Sequence, residues 1–217
     1  MTTIICDDQR SFEFDPNRTA LMVIDFQRDF LEPEGGCSGY DEGSQRLAKV
    51  IPAAKSVLEA GRRAGLHIIH TRESYRPDMT DVSPLKRENG YVGKEGPLGR
   101  CLLRGEPGCD IISDMAPMTH EPVVDKPGFS AFFETDLRHI LKNKNIDYMV
   151  IIGITYQCCV HSTLRDAVDR GFRCLTLDDC CAALNPDLED ATRAIMRSEG
   201  NLFGWISDSK TFCTAIA

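Results

Sequence analysis

Long apolar runs and an excess of basic residues are both missing from this sequence. No apolar stretch approaches the ~20 residues that a membrane-spanning helix needs. Lys and Arg number 25 against 33 Asp and Glu, and this net charge of −8 argues against a protein that coats nucleic acid. The opening text, MTTIICDDQRSFEFD, lacks the basic and apolar regions of a secretory signal. These absences predict a cytoplasmic protein with neither a nucleic-acid nor a membrane partner.

The ten cysteines also lack any recognisable framework. No two of them have the C-x-x-C spacing of a zinc knuckle or a thioredoxin-like redox site. Several lie in apolar text, such as Cys174 in FRCLTL and Cys213 in TFCTAIA, where cysteine behaves as a small apolar residue. A secreted disulfide scaffold is normally shorter and richer in loops. We therefore expect free thiols in a reducing compartment.

Apolar runs alternate with amphipathic stretches along the 217 residues, which is typical of a parallel sheet wrapped by helices. Strands are predicted at 19–26, 66–71, 121–125, 147–154 and 173–177, and a last apolar run covers 211–216. Helices are predicted at 41–64, 134–142, 159–170 and 186–198. Together these elements predict a three-layer α/β fold, Rossmann-like, with a doubly wound, mostly parallel sheet of about six strands.

The text between residues 72 and 120 has a different character. It is rich in Gly, Pro and charged residues and has little periodicity. A structureless loop of that length within one domain is improbable unless it is functional, as a lid or a subunit contact. No linker or internal repeat interrupts the sequence. We therefore predict one domain over residues 1–217, with a loop-rich excursion at 72–120.

Three residues of chemical interest follow three different predicted strands. Asp25 ends TALMVID, Lys126 follows VVD, and Cys159 follows VIIGITYQC at the start of a predicted helix. Ligands of an open parallel sheet bind beyond the carboxyl ends of its strands, and a helix start favours a thiolate. An acid, an ammonium and a thiol in one place predict an acyl-transfer site.

Each member of this set has a plainer interpretation when it is taken alone. Asp25 could cap a loop, and Lys126 could be a solvated surface lysine. Cys159 could be a buried core cysteine beside Cys158.

Three segments carry a resemblance over essentially the whole chain: ALMVIDFQRDF, VVDKPGFSAF and GITYQCCVHSTLRDAVDRGF. They resemble the isochorismatase-like cysteine hydrolase superfamily, in the family's order and with its spacing. The resemblance implies a catalytic triad of Asp25, Lys126 and Cys159. The family's nucleophile is the cysteine before a valine, which selects Cys159 over Cys158.

The same resemblance implies features of the oxyanion site. It implies a cis peptide bond between Ile154 and Thr155. The N–H groups of Thr155 and Cys159 would then face the substrate carbonyl oxygen and form the oxyanion hole.

Within the superfamily, four further segments look most like biuret, triuret and ureidoacrylate amidohydrolases: HTRESYRPD, GPLGRCLLRGEPG, CVHSTLRDAVDRGF and SEGNLFG. This implies a cysteine amidohydrolase that cleaves the C–N bond of a small ureido or carboxamide substrate. Water and that amide would be its partners, a thioester its intermediate and ammonia a product. The candidate substrate contacts are Phe30, Tyr40, Arg72, Arg76, Phe129 and Glu199. Glu199 aligns with a Gln of the biuret hydrolases, and because an ionised Glu only accepts hydrogen bonds, it favours a substrate with an NH2 group there, such as triuret.

Other substrates and another class of function stay open. A nicotinamidase, an N-carbamoyl amino acid amidase or a maleamate-type amidase would keep the fold, and a catalytically silent redox sensor would explain the thiols. Many relatives that act on nicotinamide bind a metal through Asp-x-His and a further His. None of the five histidines here follows that pattern, so we expect no catalytic metal and no cofactor. The resemblance also implies a homo-oligomer, either a dimer or a tetramer.

Overall fold

The computed structural model of the protein describes residues 1–36 and 42–217. Its strands in this part of the chain are β1 (Thr2–Ile5), β2 (Ser11–Phe14), β3 (Thr19–Ile24), β4 (His67–Glu73), β5 (Glu95–Gly96), β6 (Gly99–Arg100), β7 (Val123–Lys126), β8 (Tyr148–Ile154), β9 (Arg173–Ala182) and β10 (Trp205–Ser207). The α-helices are α1 (Arg28–Leu31), α2 (Glu42–Ala48), α3 (Ile51–Arg63), α4 (Pro84–Asn89), α5 (Leu137–Asn143), α6 (His161–Asp169), α7 (Pro186–Asn201) and α8 (Ser209–Ala215). A π-helical segment, Tyr156–Val160, runs directly into α6.

Six of these strands form one parallel sheet in the order β10–β9–β8–β3–β4–β7. The chain moves from β3 through β4 to β7 in one direction, and from β8 through β9 to β10 in the other. The strand order therefore reverses between β3 and β8, which is where open α/β sheets bind their ligands. The predicted α/β fold with a parallel sheet of six strands is confirmed.

The central strands are apolar along almost their whole length because both faces of the sheet are covered. Every residue of β3, TALMVI, is buried. Its side chains alternate, so that Leu21 and Val23 join the core on one face and Met22 and Ile24 join the core on the other. Each such buried side chain stabilises the fold by roughly 1.5–3 kcal/mol.

Different elements supply the two cores. The β1–β2 hairpin, α2, α3 and α8 cover one face, with Phe12, Val57 and Phe212 among the buried side chains. The helices α5, α6 and α7 cover the other face, with Leu141 and Leu164 among theirs. The helices thus form the two outer layers of the predicted three-layer arrangement.

The segment 72–120 contains its own small core and is fastened to α1. Its buried members include Tyr75, Val82 and Leu102. The buried Asp29 accepts hydrogen bonds from the N–H groups of Leu102, at 2.7 Å, and Gly36, at 3.1 Å. The segment is therefore packed into the molecule, in spite of its irregular sequence.

Some local expectations were wrong. The helix predicted over 41–64 is divided into α2 and α3, and the apolar run 211–216 is mostly helical, within α8. Cys101 is disulfide-bonded, so the expectation of free thiols is wrong for this residue. A disulfide depends on the distance between two cysteines in the fold, which the spacing of cysteines in the sequence does not report. The free cysteines are Cys6, Cys109, Cys158, Cys159, Cys174, Cys180, Cys181 and Cys213.

No helix in residues 1–36 and 42–217 is both long enough and apolar enough to cross a membrane.

Candidate active site

Buried polar side chains from four strands meet at the carboxyl edge of the sheet. Asp25 follows β3, Glu73 ends β4, Lys126 ends β7, and Cys159 lies in the π-helical segment after β8. None of these four side chains belongs to a residue more than 4% exposed. Burying charged groups is costly unless they are paired, so their contacts define what the site can do.

Lys126 lies between the acid and the thiol. Its Nζ atom is 2.8 Å from Asp25 Oδ2 and 3.3 Å from Cys159 Sγ. It also donates a hydrogen bond to the carbonyl oxygen of Gly128, at 3.0 Å. Burial alone would lower the pKa of Lys126, but Asp25, Cys159 and Glu73 raise it above its ordinary value. The structure thus brings the three residues of the predicted triad together around a charged ammonium.

The Asp25 carboxylate is held rigidly but keeps one oxygen available. The backbone of Asp25 has a φ of +56°, and its Oδ1 accepts a 2.6 Å hydrogen bond from the Thr71 hydroxyl. Oδ2 forms the ion pair with Lys126 but, within the described residues, has no hydrogen bond of regular geometry. Beyond this ion pair, the oxygen keeps a lone pair that can accept a proton from a bound molecule.

A glycine sets how closely the strand before the nucleophile approaches β3. Gly153 has a φ of +147°, and a Cβ atom there would lie 2.4 Å from the carbonyl oxygen of Ile24. The following Ile154–Thr155 peptide bond is cis. The carbonyl oxygen of Thr155 then accepts hydrogen bonds from the N–H groups of Cys158 and Val160. These contacts fix the turn from which Cys159 projects.

The Cys159 thiol differs from the thiolate that its position at a helix start predicts. The hydrogen bond with Cys158 and burial raise the pKa of Cys159 well above its ordinary value, and Asp25 and Glu73 add to the rise. The Lys126 ammonium acts in the opposite direction. The same hydrogen bond lowers the pKa of Cys158. The raised pKa favours the thiol form of Cys159 in the free protein, chiefly because of Cys158 and burial.

Glu73 is a site residue that the sequence interpretation missed. Its Oε2 atom lies 3.8 Å from Cys159 Sγ, and the thiol donates to it. Its Oε1 atom accepts hydrogen bonds from Lys86 Nζ at 2.8 Å, from the Tyr75 hydroxyl at 2.7 Å and from the Tyr91 hydroxyl at 3.3 Å. The signal was available in the alternation of β4: residues 71 and 73 share a face, and Thr71 contacts Asp25.

A cavity of about 250 Å³ opens over Cys159. Its apolar lining consists of Phe30, Leu47, Phe129, Ile154 and Leu184, and its polar lining of Glu73, Tyr91, Thr155, Cys158 and Cys159. Phe129 and Leu184 are each more than two-fifths exposed, so they form the mouth. A cavity of this size accepts a small molecule and little more.

The predicted substrate contacts divide into two groups. Phe30 and Phe129 line the cavity. Arg72 does not, because alternation along β4 turns it to the opposite face from Glu73, where it pairs with Asp125 at 2.8 Å. Arg76 lines a different, polar cavity that also contains Asp125.

The remaining two predicted contacts are not part of the described cavity. Glu199 is exposed, with a φ of +51° at a break in α7, and it is absent from the lining as described. The break turns it to the surface. Tyr40 lies outside the described residues.

Asp25, Glu73 and Cys159 each offer an atom to a metal ion, and these atoms lie within 4.8 Å of one another. Lys126 Nζ, however, is 2.8 Å from Asp25 Oδ2 and 3.3 Å from Cys159 Sγ. A divalent cation among these ligands would meet a charged ammonium at contact distance. The donor set therefore fits an ammonium better than a metal.

Comparison with known proteins places this geometry in a family. The family model of the Isochorismatase domain matches residues 19–211. A cysteine hydrolase from Pseudomonas syringae pv. phaseolicola is 27% identical, with a TM-score of 0.82 over 94% of this chain and 95% of that one. N-carbamoylsarcosine amidase from Thermoplasma acidophilum is 26% identical, with a TM-score of 0.70 over 88% of this chain and 96% of that one.

A more distant structure shares the fold. The nicotinamidase/pyrazinamidase of Bacillus subtilis is 19% identical, with a TM-score of 0.72 over 88% of this chain and 100% of that one. With a family model that spans most of its length, the chain belongs to the isochorismatase family, as a hydrolase of the isochorismatase-like cysteine hydrolase type.

Proposed function

We propose that the protein is a cysteine amidohydrolase that cleaves a C–N bond of a small, uncharged carboxamide or ureido compound. The observation that carries this proposal is the buried Lys126 ammonium between the Asp25 carboxylate and the Cys159 sulfur. Cys159 lines a cavity that opens to the surface, and the other two groups lie behind it. A nucleophile, a proton carrier and a cation in contact are the parts that covalent acyl transfer requires.

In the acylation step, Cys159 attacks the substrate carbonyl carbon as its S–H bond breaks. The thiol proton passes to Asp25, and a C–S bond forms. The N–H groups of Thr155 and Cys159 stabilise the oxyanion, which is commonly a large contribution in acyl transfer. When the C–N bond breaks, Asp25 returns the proton to the nitrogen, and ammonia leaves.

In the deacylation step, water attacks the thioester. Asp25 Oδ2, which has no regular hydrogen bond in the free protein, removes a proton from that water. The C–S bond breaks, and the sulfur regains its proton. Lys126 holds the carboxylate in place and stabilises negative charge on sulfur throughout.

The lining of the cavity favours an uncharged substrate. Among the described residues that line it, none is Lys or Arg. Residues 37–41, CSGYD, contain no Lys or Arg either. A carboxylate on an N-carbamoyl amino acid, a maleamate or a ureidoacrylate would therefore lack a cationic partner, and burying an unpaired charge is costly. Biuret and triuret carry no charge and remain the substrates that we favour.

Nicotinamide is a second candidate because of the apolar walls. Phe30 and Phe129 border the cavity, and a flat aromatic amide would pack against rings of this kind. Biuret and triuret would instead need polar contacts at both of their ends. Nicotinamide thus requires apolar walls, whereas biuret and triuret require polar groups in the walls.

An ammonia-release screen tests the proposal. The compounds are biuret, triuret and nicotinamide as uncharged amides, and ureidoacrylate, maleamate and N-carbamoyl amino acids as anionic ones. We expect turnover of an uncharged compound and at least 10³-fold less activity in Cys159→Ser. The matched control is Cys174→Ser, because Cys174 is equally buried but lies on β9, outside the cavity lining.

Two outcomes would contradict the proposal. Undiminished ammonia release by Cys159→Ser would remove the nucleophile. A preference for the anionic compounds would overturn the argument from the lining. A cytoplasmic location and assembly into a dimer or tetramer stay predictions.

A further inference from the structure

Lys86 is a buried lysine that the proposed mechanism does not use. It belongs to α4, within the segment 72–120, and is only 7% exposed. Its Nζ atom donates to Glu73 Oε1 at 2.8 Å, to the Tyr75 hydroxyl, and to the carbonyl oxygen of Pro127 at 3.3 Å. Lysine is almost never buried unless it is paired with an opposite charge, and the partner of Lys86 is the Glu73 carboxylate.

That partner, Glu73, has one saturated oxygen and one that faces the nucleophile. Oε1 receives hydrogen bonds from Lys86, Tyr75 and Tyr91, which fixes the carboxylate in one orientation. Oε2 is left with the Cys159 thiol, 3.8 Å away. Among the described residues, the acceptor of the hydrogen bond from the Cys159 thiol in the free protein is therefore Glu73.

The ionisation state of Glu73 follows from its neighbours. Burial alone would raise the pKa of Glu73, but Lys126 and Lys86 outweigh burial and hold it below the ordinary value. Glu73 is then a carboxylate at neutral pH. With Asp25 it balances the charge of the two ammonium groups near the Cys159 thiol.

We propose that Lys86 and Glu73 form a positioning pair that keeps the Cys159 thiol protonated and oriented until substrate binds. The pair rests on the proposed function only in taking Cys159 as the nucleophile. Glu73 Oε2 accepts a hydrogen bond from the S–H group and opposes negative charge on sulfur. Lys86 holds that carboxylate in place. The positive charge of Lys86 also partly offsets the effect of the Glu73 charge on the sulfur. The proton that the leaving nitrogen needs is thereby stored on sulfur in the free enzyme.

The groups that face the sulfur come from every element packed around it. Among the described residues they are Asp25, Glu73, Lys126, Cys158 and, one contact further away, Lys86, Tyr75 and Tyr91. Only Glu73 and Lys86 form a pair that can be altered without changing the triad or the neighbouring thiol. The two members have opposite charges, so their removal has opposite consequences for the sulfur.

Thiol alkylation tests the pair without any substrate. The rate at which iodoacetamide modifies Cys159 is followed from pH 6 to pH 11 in a Cys158→Ala background, with the modified residue identified by mass spectrometry. Glu73→Gln should move the midpoint of this profile to lower pH, and Lys86→Met to higher pH, each by about one unit. The control, Glu121→Gln, removes a buried carboxylate that contacts His70 at the middle of β4, away from the sulfur, and should leave the midpoint unchanged.

Shifts in the same direction, or no shift in either variant, would overturn the proposal, because a merely structural pair has no signed effect on one thiol. If a single variant does not fold, Glu73→Met combined with Lys86→Met replaces the pair by apolar side chains of similar size, an exchange that folds often tolerate. Its midpoint should fall, since Glu73 is the nearer charge, and an unchanged midpoint would contradict the inference. A protein that fails the ammonia screen but shows the signed shifts loses the proposed function alone.

Discussion

Strand β4 contributes one residue to each of two clusters of charged side chains: His70 to one and Glu73, three residues later, to the other. The two clusters have different roles. At its middle, His70 contacts Glu121, which Arg62 also holds; we name these three residues the Glu121 cluster. At its end, Glu73 lies beside the triad residues; Asp25, Glu73, Lys126 and Cys159 are named the Cys159 cluster. Both clusters join a buried carboxylate to a cation.

The two clusters differ in how completely their oxygens are used. Glu121 Oε1 accepts a hydrogen bond from Arg62. Oε2 accepts hydrogen bonds from Arg62 and from the Met118 N–H, and it also contacts His70 Nε2. These donors outweigh burial and lower the pKa of Glu121 to about 2. In the Cys159 cluster, by contrast, the contacts within the described residues are fewer: Asp25 Oδ2 has only the Lys126 ion pair, and Glu73 Oε2 has only the thiol. Saturated acceptors stabilise a fold, whereas acceptors left open beside a nucleophile can take part in chemistry.

Breaking the Cys159 cluster should produce the largest effect. Lys126→Met leaves Asp25 buried without its counter-ion, and we expect it to abolish ammonia release and lower the free energy of unfolding by about 3–5 kcal/mol. Lys126→Met combined with Asp25→Asn should recover most of that stability and none of the activity. Urea denaturation and the ammonia assay measure the two quantities, and an active double variant would contradict the assigned roles.

Breaking the Glu121 cluster should cost stability but not activity. The folded pKa of Glu121, about 2, lies below the ordinary value of 4.5, so its contribution is present above pH 4.5 and is lost as pH falls toward 2. Glu121→Gln should lower the free energy of unfolding by about 2–3 kcal/mol at neutral pH, and by less at pH 2. Urea denaturation at several pH values checks this, and a large loss of ammonia release would show that the two clusters are coupled.

An exposed pair supplies the lower end of the comparison. Lys55 Nζ lies 2.7 Å from Asp114 Oδ1, but their side chains are 45% and 51% exposed. Solvent screens such pairs, so Lys55→Met should leave the midpoint of urea denaturation essentially unchanged. A midpoint lowered as much as in Glu121→Gln would mean that burial does not govern the strength of these pairs.

The fold was predictable where continuous apolar text marks a strand covered on both faces. β3 and β8 follow directly from TALMVI and YMVIIGI. The β1–β2 hairpin and β10 did not, because strands of three or four residues carry too short a pattern. Their positions depend on tertiary contacts, such as the packing of Phe12 against Trp205.

The same division holds in the candidate site. Asp25, Lys126 and Cys159 follow recognisable strand ends, so sheet topology alone predicts that they meet. Glu73 was missed because the strand was predicted to end at Thr71, two residues too early. Lys86 reaches the site from text without periodicity, and no local pattern reports a contact of that kind.

The four groups of the Cys159 cluster have a consequence for folding. They come from residues 25, 73, 126 and 159, so they meet only after β3, β4, β7 and β8 have aligned. Contacts between such distant parts of a chain form late, since each closes a long loop at an entropic cost. A chain that has formed only part of the sheet cannot assemble Lys126, Glu73 and Asp25 around its thiol. The reactivity of Cys159 toward an alkylating reagent would therefore report when assembly of the whole sheet is complete.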